Sequence, residues 1–138
     1  MAQTILVVDD EAKLRDMIRV YLEQEGYHVV EAGHGREALY VARVEKPDLI
    51  ILDLMMPEMD GWQICKAVRE FSQVPIIILS ALNDPSMIAS VLDAGADDYL
   101  TKPTPSRVLI AHINRLINRT VNSNASMSDP FTRPLPAS

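Results

Sequence analysis

Asp9, Asp10, Asp53, Ser80 and Lys102 each stand just behind a short apolar run of β-type residues, so the strands of one sheet would deliver all five to a common rim. Carboxylates held close raise the cost of one another's ionisation, which makes three of them a poor stabilising device. A hard divalent cation resolves that repulsion. Mg²⁺ takes oxygen ligands in an octahedron and typically uses one or two carboxylates plus a phosphate oxygen. An ammonium such as Lys102 binds a phosphoryl oxygen as a point charge, and a hydroxyl such as Ser80 donates to one. The set therefore suits phosphoryl chemistry at a carboxylate. Blander readings exist for each member. One of Asp9 and Asp10 can simply cap the following helix, and Lys102 before Pro103 reads alone as a solvated charge at a strand end. Asp53 lies between Leu52 and Leu54, where an ionised side chain without a partner is costly to bury. Cys65 falls on an apolar helical stripe and reads as packing. His28, His34 and His112 share no metal or catalytic spacing and receive no role.

The elements that must position these residues are legible in the periodicity. Apolar runs at 5–8, 28–30, 49–52, 76–79 and 99–100 read as strands. Residues 12–24 carry Leu14, Met17, Ile18, Tyr21 and Leu22 on one helical stripe, and Gly26 stands where a C-terminal stop belongs. A second helix is predicted over 35–45, and a third from Asp60-Gly61 with Ile64, Cys65 and Val68 inward. A fourth starts at Asp84-Pro85, carries Ile88, Val91 and Leu92 and stops at Gly95; a fifth spans 105 to about 118 with Leu109, Ile113, Leu116 and Ile117 inward. Strand then helix five times, with unbroken apolar strands, calls for a parallel sheet covered on both faces: a doubly wound α/β sandwich. Residues 1–119 form the expected domain. Residues 120–138, with Pro130, Pro134 and Pro136 and little periodic apolar content, read as a flexible tail or linker stub.

Composition narrows the function. Nineteen acidic against thirteen basic residues give a net charge of −6, which opposes direct nucleic-acid binding by this chain. No apolar run is long enough to span a bilayer, and no basic segment precedes the first apolar run as in a secretory signal, so a cytoplasmic location is expected. The single cysteine excludes an internal disulfide and a multi-cysteine metal site. There is no G-x-G-x-x-G and no Gly-Lys-Ser/Thr phosphate loop, which argues against a nucleotide-binding module. An aspartyl phosphatase of the haloacid-dehalogenase type wants Asp-x-Asp at its strand end, and Asp9-Asp10-Glu11 lacks that spacing.

Four segments in order, ILVVDDE at 5–11, DLIILDLMMPEMDG at 48–61, PIIILSA at 75–81 and GADDYLTKP at 95–103, resemble the signature segments of the receiver domain of bacterial two-component response regulators. The resemblance covers residues 4–119. It implies a flavodoxin-like (βα)5 sandwich with parallel strand order 2-1-3-4-5. It implies Asp53 as the phosphoacceptor, with Asp10, Asp53 and the backbone carbonyl of Met55 ligating Mg²⁺ and Asp9 acting through a bound water; Mn²⁺ is able to take the place of Mg²⁺. Lys102 would pair with the phosphoryl group, Ser80 would move to hydrogen-bond it, and Tyr99 would swing inward in response. The Lys102-Pro103 peptide would be cis. The donor would be a sensor histidine kinase or a histidine phosphotransfer protein, and the output a downstream partner or domain. The resemblance makes the protein a switch rather than a turnover enzyme, catalysing only its own phosphorylation and slow dephosphorylation. The alternative is a docking domain that works without phosphorylation.

Two departures from the family pattern carry expectations. Thr104 stands where a Phe usually follows Lys-Pro, which removes packing under the fifth helix. The subfamily with a Gly-Ala-Asp-Asp-Tyr segment dimerises through charge pairs across its fourth helix, fifth strand and fifth helix, whereas here the helix positions are Ile88, Val108 and His112. Arg115 and Arg119 are the nearest partners for Asp97 and Asp98. A monomer or weak phosphorylation-dependent dimer is expected, with Ile88, Tyr99, Val108 and His112 on a partner face. Met55 and Leu82 offer no group to orient a water, so the phosphoryl group should be long-lived.

Overall fold

The computed structural model describes residues 2–128, with side chains to residue 120. Its elements alternate strictly: β1 (Thr4–Val8), α1 (Ala12–Gln24), β2 (His28–Ala32), α2 (Gly35–Glu45), β3 (Leu49–Leu52), α3 (Gly61–Arg69), β4 (Ile76–Ser80), α4 (Pro85–Asp93), β5 (Asp98–Thr101) and α5 (Ser106–Ser128). All strand pairs are parallel, in the order β2-β1-β3-β4-β5. This is the doubly wound sandwich that the unbroken apolar strands predict.

Alternation along the strands feeds two cores, one on each face. Leu6, Val8, Ile50, Leu52, Ile76 and Ile78 pack with α2, α3 and α4. Ile5, Val7, Leu49, Ile51, Ile77 and Leu79 pack with α1 and α5. Helix ends follow local chemistry. Asp60 caps α3 in a reciprocal capping box with Gln63, and Asp84 caps α4 ahead of Pro85. Lys46 closes α2 in the left-handed region, just before Pro47.

Some expectations fail in instructive ways. On α1 only Ile18 and Leu22 are buried, while Met17 and Tyr21 are exposed, as is Leu92 on α4. Helix α5 continues to Ser128, past the helix end expected near residue 118; residues 129–138 of the expected tail lie outside the described residues. His34 and His112, to which spacing assigned nothing, both have partners. His34 caps α2 by accepting from the Glu37 amide, and His112 Nδ1 lies 2.5 Å from Asp98 Oδ2.

Candidate functional site

Register brings the carboxylates together. Val8 pairs with Leu52, so the next residue of each strand, Asp9 and Asp53, emerges at the same edge, and the Asp53 amide donates to the Val8 carbonyl at 2.9 Å. Carboxylate oxygens of Asp9, Asp10 and Asp53 all lie within 4.8 Å of one another. Asp9 and Asp53 are buried, and Asp10 is exposed at the mouth. Neither Asp9 nor Asp10 is the helix cap: that position falls to Glu11, whose side chain makes no capping bond. Asp9 Oδ1 instead accepts from the Glu11 amide at 2.9 Å.

Lys102, delivered by the turn after β5, is the cation of the site. Its Nζ lies 3.0 Å from Asp9 Oδ2 and 3.8 Å from Asp53 Oδ2. The Lys102-Pro103 peptide is cis. One ammonium does not neutralise three carboxylates. Burial raises the Asp53 carboxyl above its ordinary value and the neighbouring Asp9 charge adds to the rise, while Lys102 and the Met55 amide oppose it. That donor set, all oxygen and incompletely neutralised, fits a hard divalent cation on chemical grounds. Met55 follows in the β3–α3 turn, and its amide donates to Asp53 Oδ1 at 3.2 Å, which orients the carboxylate.

Gly61 makes the close approach of α3 to this turn feasible. A Cβ there would lie 2.5 Å from the Asp53 carbonyl oxygen and 2.8 Å from Leu54 Cα. Ser80 ends β4 fully buried, with its Oγ accepting from the Leu82 amide at 3.2 Å. Tyr99 on β5 donates its hydroxyl to the Leu82 carbonyl at 2.6 Å. Ile88, Tyr99 and His112 are half-buried and Val108 is exposed along α4, β5 and α5. Asp98 there is held by His112 and by Arg115 at 2.9 Å. Asp97 is held by Arg119 at 3.8 Å and, closer, by Arg69 at 3.0 Å, a partner that sequence spacing did not suggest.

Thr104 turns its hydroxyl back to the Thr101 carbonyl at 2.7 Å. Beside it a cavity of about 470 Å³ opens between α1 and the β5–α5 turn, walled by Leu14, Met17, Tyr21, Leu79 and Leu109 with Lys102 at its edge. The exposed Met17 and Tyr21 border this space.

The family described as response regulator receiver domain matches residues 5–114. The probable transcriptional regulator ycf27 of Cyanophora paradoxa is 44% identical over 122 residues, 88% of this chain and 51% of that protein. The transcriptional regulatory protein SrrA of Staphylococcus aureus is 38% identical over 133 residues, 96% of this chain and 55% of that protein. The chain thus spans about half the length of these curated relatives. Among solved structures, the receiver domain of the Francisella response regulator 1452 superposes with a TM-score of 0.81 at 38% identity, covering 86% of this chain and 98% of that one. Chemotaxis protein CheY4 of Vibrio cholerae gives 0.80 at 35% identity, covering 84% and 99%.

Proposed function

The chain belongs to the response regulator receiver domain family, and from that premise we propose that it accepts a phosphoryl group on Asp53 in a Mg²⁺-dependent reaction and signals through the α4, β5 and α5 face. The observation that carries this reading is the cluster of Asp9, Asp10 and Asp53, two of which, Asp9 and Asp53, pair with the Lys102 ammonium, with the Asp53 carboxylate aimed by the Met55 amide.

An oxygen of Asp53 attacks the phosphorus of a phosphohistidine on a sensor kinase or phosphotransfer protein. The P–N bond breaks with its electron pair staying on the ring nitrogen, and with a proton already on the other ring nitrogen the imidazole leaves as neutral histidine while an aspartyl phosphate forms. Asp10, Asp53 and the Met55 carbonyl are the proposed ligands of Mg²⁺, with Asp9 acting through water. The ion, when bound, neutralises charge on the transferring group. Lys102 leaves Asp9 for a phosphoryl oxygen, and Ser80 turns its hydroxyl toward the same group. Membership of the receiver family supports reading the protein as a signalling switch and not as a turnover enzyme.

The test is intact mass after incubation with acetyl phosphate, with Mg²⁺ or EDTA, for the wild type and Asp53→Ala. Gain of one phosphoryl group only in the wild type with Mg²⁺ is expected. A gain in Asp53→Ala would place the acceptor elsewhere, and no gain from either acetyl phosphate or a phosphohistidine donor would favour a docking domain independent of phosphorylation.

A further inference from the structure

Arg15 and Arg19 lie four residues apart on α1 and share the carboxylate of Glu31 on β2. Arg15 Nε bonds Oε1 at 3.0 Å, and Arg19 Nη2 bonds Oε2 at 2.6 Å. Burial alone would raise the Glu31 carboxyl, but the two guanidiniums together hold it below its ordinary value. Arg19 also pairs with Glu23 on its own helix at 3.4 Å, whereas Arg15 reaches the acidic site. Its Nη1 donates to the carbonyl oxygen of Asp9 at 2.6 Å. Gly33, just beyond β2, leaves the room: a Cβ at that position would stand 3.2 Å from Arg15 Nη1.

The oxygen that Arg15 grips belongs to the peptide linking Asp9 to Asp10, so its orientation decides where both carboxylates start. The Asp9 amide is held separately by the Ala32 carbonyl at 3.2 Å. With both faces of this residue fixed, a charge-assisted bond from an already immobilised guanidinium leaves the Asp9-Asp10 segment little freedom. We propose that Arg15 is the positioning residue of the acidic site, setting the carboxylate spacing that a divalent cation needs, with Glu31 orienting Arg15 and Gly33 admitting it. The inference rests on the reading of Asp9, Asp10 and Asp53 as the Mg²⁺ site. Partners that orient metal ligands without touching the metal commonly change affinity by about 10–100-fold when removed.

Arg19 provides the matched control, since it shares Glu31 but has no bond to Asp9. Mg²⁺ alone is titrated calorimetrically into the full chain, and metal-free Tm is recorded for the wild type, Arg15→Met, Arg15→Lys and Arg19→Met. Arg15→Met is expected to weaken Mg²⁺ binding about tenfold or more. Arg15→Lys, which keeps the charge but cannot bridge Glu31 and Asp9 together, should recover part of that loss. Arg19→Met should lower Tm comparably yet leave Mg²⁺ affinity nearly unchanged. Unchanged affinity in both Arg15 variants, or equal losses in Arg15→Met and Arg19→Met, overturns the positioning role. Absence of saturable Mg²⁺ binding by the wild type itself would overturn the metal reading beneath it.

Discussion

The hydroxyls of Ser80 and Tyr99 hold opposite ends of one residue: the Leu82 amide donates to Ser80 Oγ, and the Leu82 carbonyl accepts from Tyr99. If Ser80 turns toward a phosphoryl group it releases the Leu82 amide, and the Tyr99 bond at the other end of that residue must readjust. Such a movement would couple Ser80 to Tyr99 through two hydrogen bonds with Leu82 between them. Ser80→Ala should therefore still be phosphorylated at Asp53, while the change in the Tyr99 ring resonance on phosphorylation shrinks severalfold. A full Tyr99 response in Ser80→Ala would overturn this coupling.

Asp53 should make stability depend on pH and on Mg²⁺. Because its folded carboxyl is raised, its contribution is complete below the unfolded carboxylate range and is lost as pH rises through the folded value. Near neutrality the metal-free charge is a net cost. In EDTA, Asp53→Asn should raise Tm by a few degrees near pH 7, with the gain fading toward pH 4. Mg²⁺ at about a hundredfold excess over its Kd should stabilise the wild type by about 2.7 kcal/mol, and Asp53→Asn much less. Thermal melts across pH, with and without Mg²⁺, check both signs.

Gly61 has no room for a Cβ unless its surroundings shift. With Cβ overlap against both Asp53 and Leu54 backbone, Gly61→Ala must push α3 away from the turn that carries Asp53. A loss of about 2–3 kcal/mol is expected from such overpacking. Denaturant unfolding measures that loss, and phosphorylation by acetyl phosphate should slow in the same variant.

The lifetime of the aspartyl phosphate should be long. Met55, two residues after Asp53, is exposed and Leu82, two residues after Ser80, is half-buried, and neither side chain offers a group to orient an attacking water. Met55→Asn should accelerate phosphate loss about tenfold, below the full effect of a well-placed general base. The decay of phosphorylated mass after donor removal gives the rate directly.

The carboxylate edge was legible because unbroken apolar strands imply a parallel sheet, and the residues just past β1 and β3 then fall side by side. Leu82 was not, since it acts through its backbone and its side chain gives no sign of it. Arg15 reads in sequence as a solvated helix charge, because its partners Glu31 and Asp9 become neighbours only when α1 docks on β2. The stripe on α1 overstated burial because periodicity gives the direction of a helix face but not its width. Met17 and Tyr21 lie where the neighbouring turn presents small Thr104, and the cavity there remains open.

The proposed signalling face keeps its acidic residues paired within one chain. Asp97 and Asp98 already have cations within the same chain, Arg69 and Arg119 for one and His112 and Arg115 for the other, and Ile88 and Val108 cannot form an ion pair. Self-association through charge pairs would therefore compete with these internal bonds and gains no compensating pair at Ile88 and Val108. Phosphorylated wild type should sediment as a monomer at micromolar concentration. Ile88→Lys combined with Val108→Glu, which installs a basic and an acidic residue on α4 and α5, should shift phosphorylated protein toward dimer. A tight dimer of the phosphorylated wild type that is lost in Asp97→Ala would show instead that the internal pairs yield readily to a second chain.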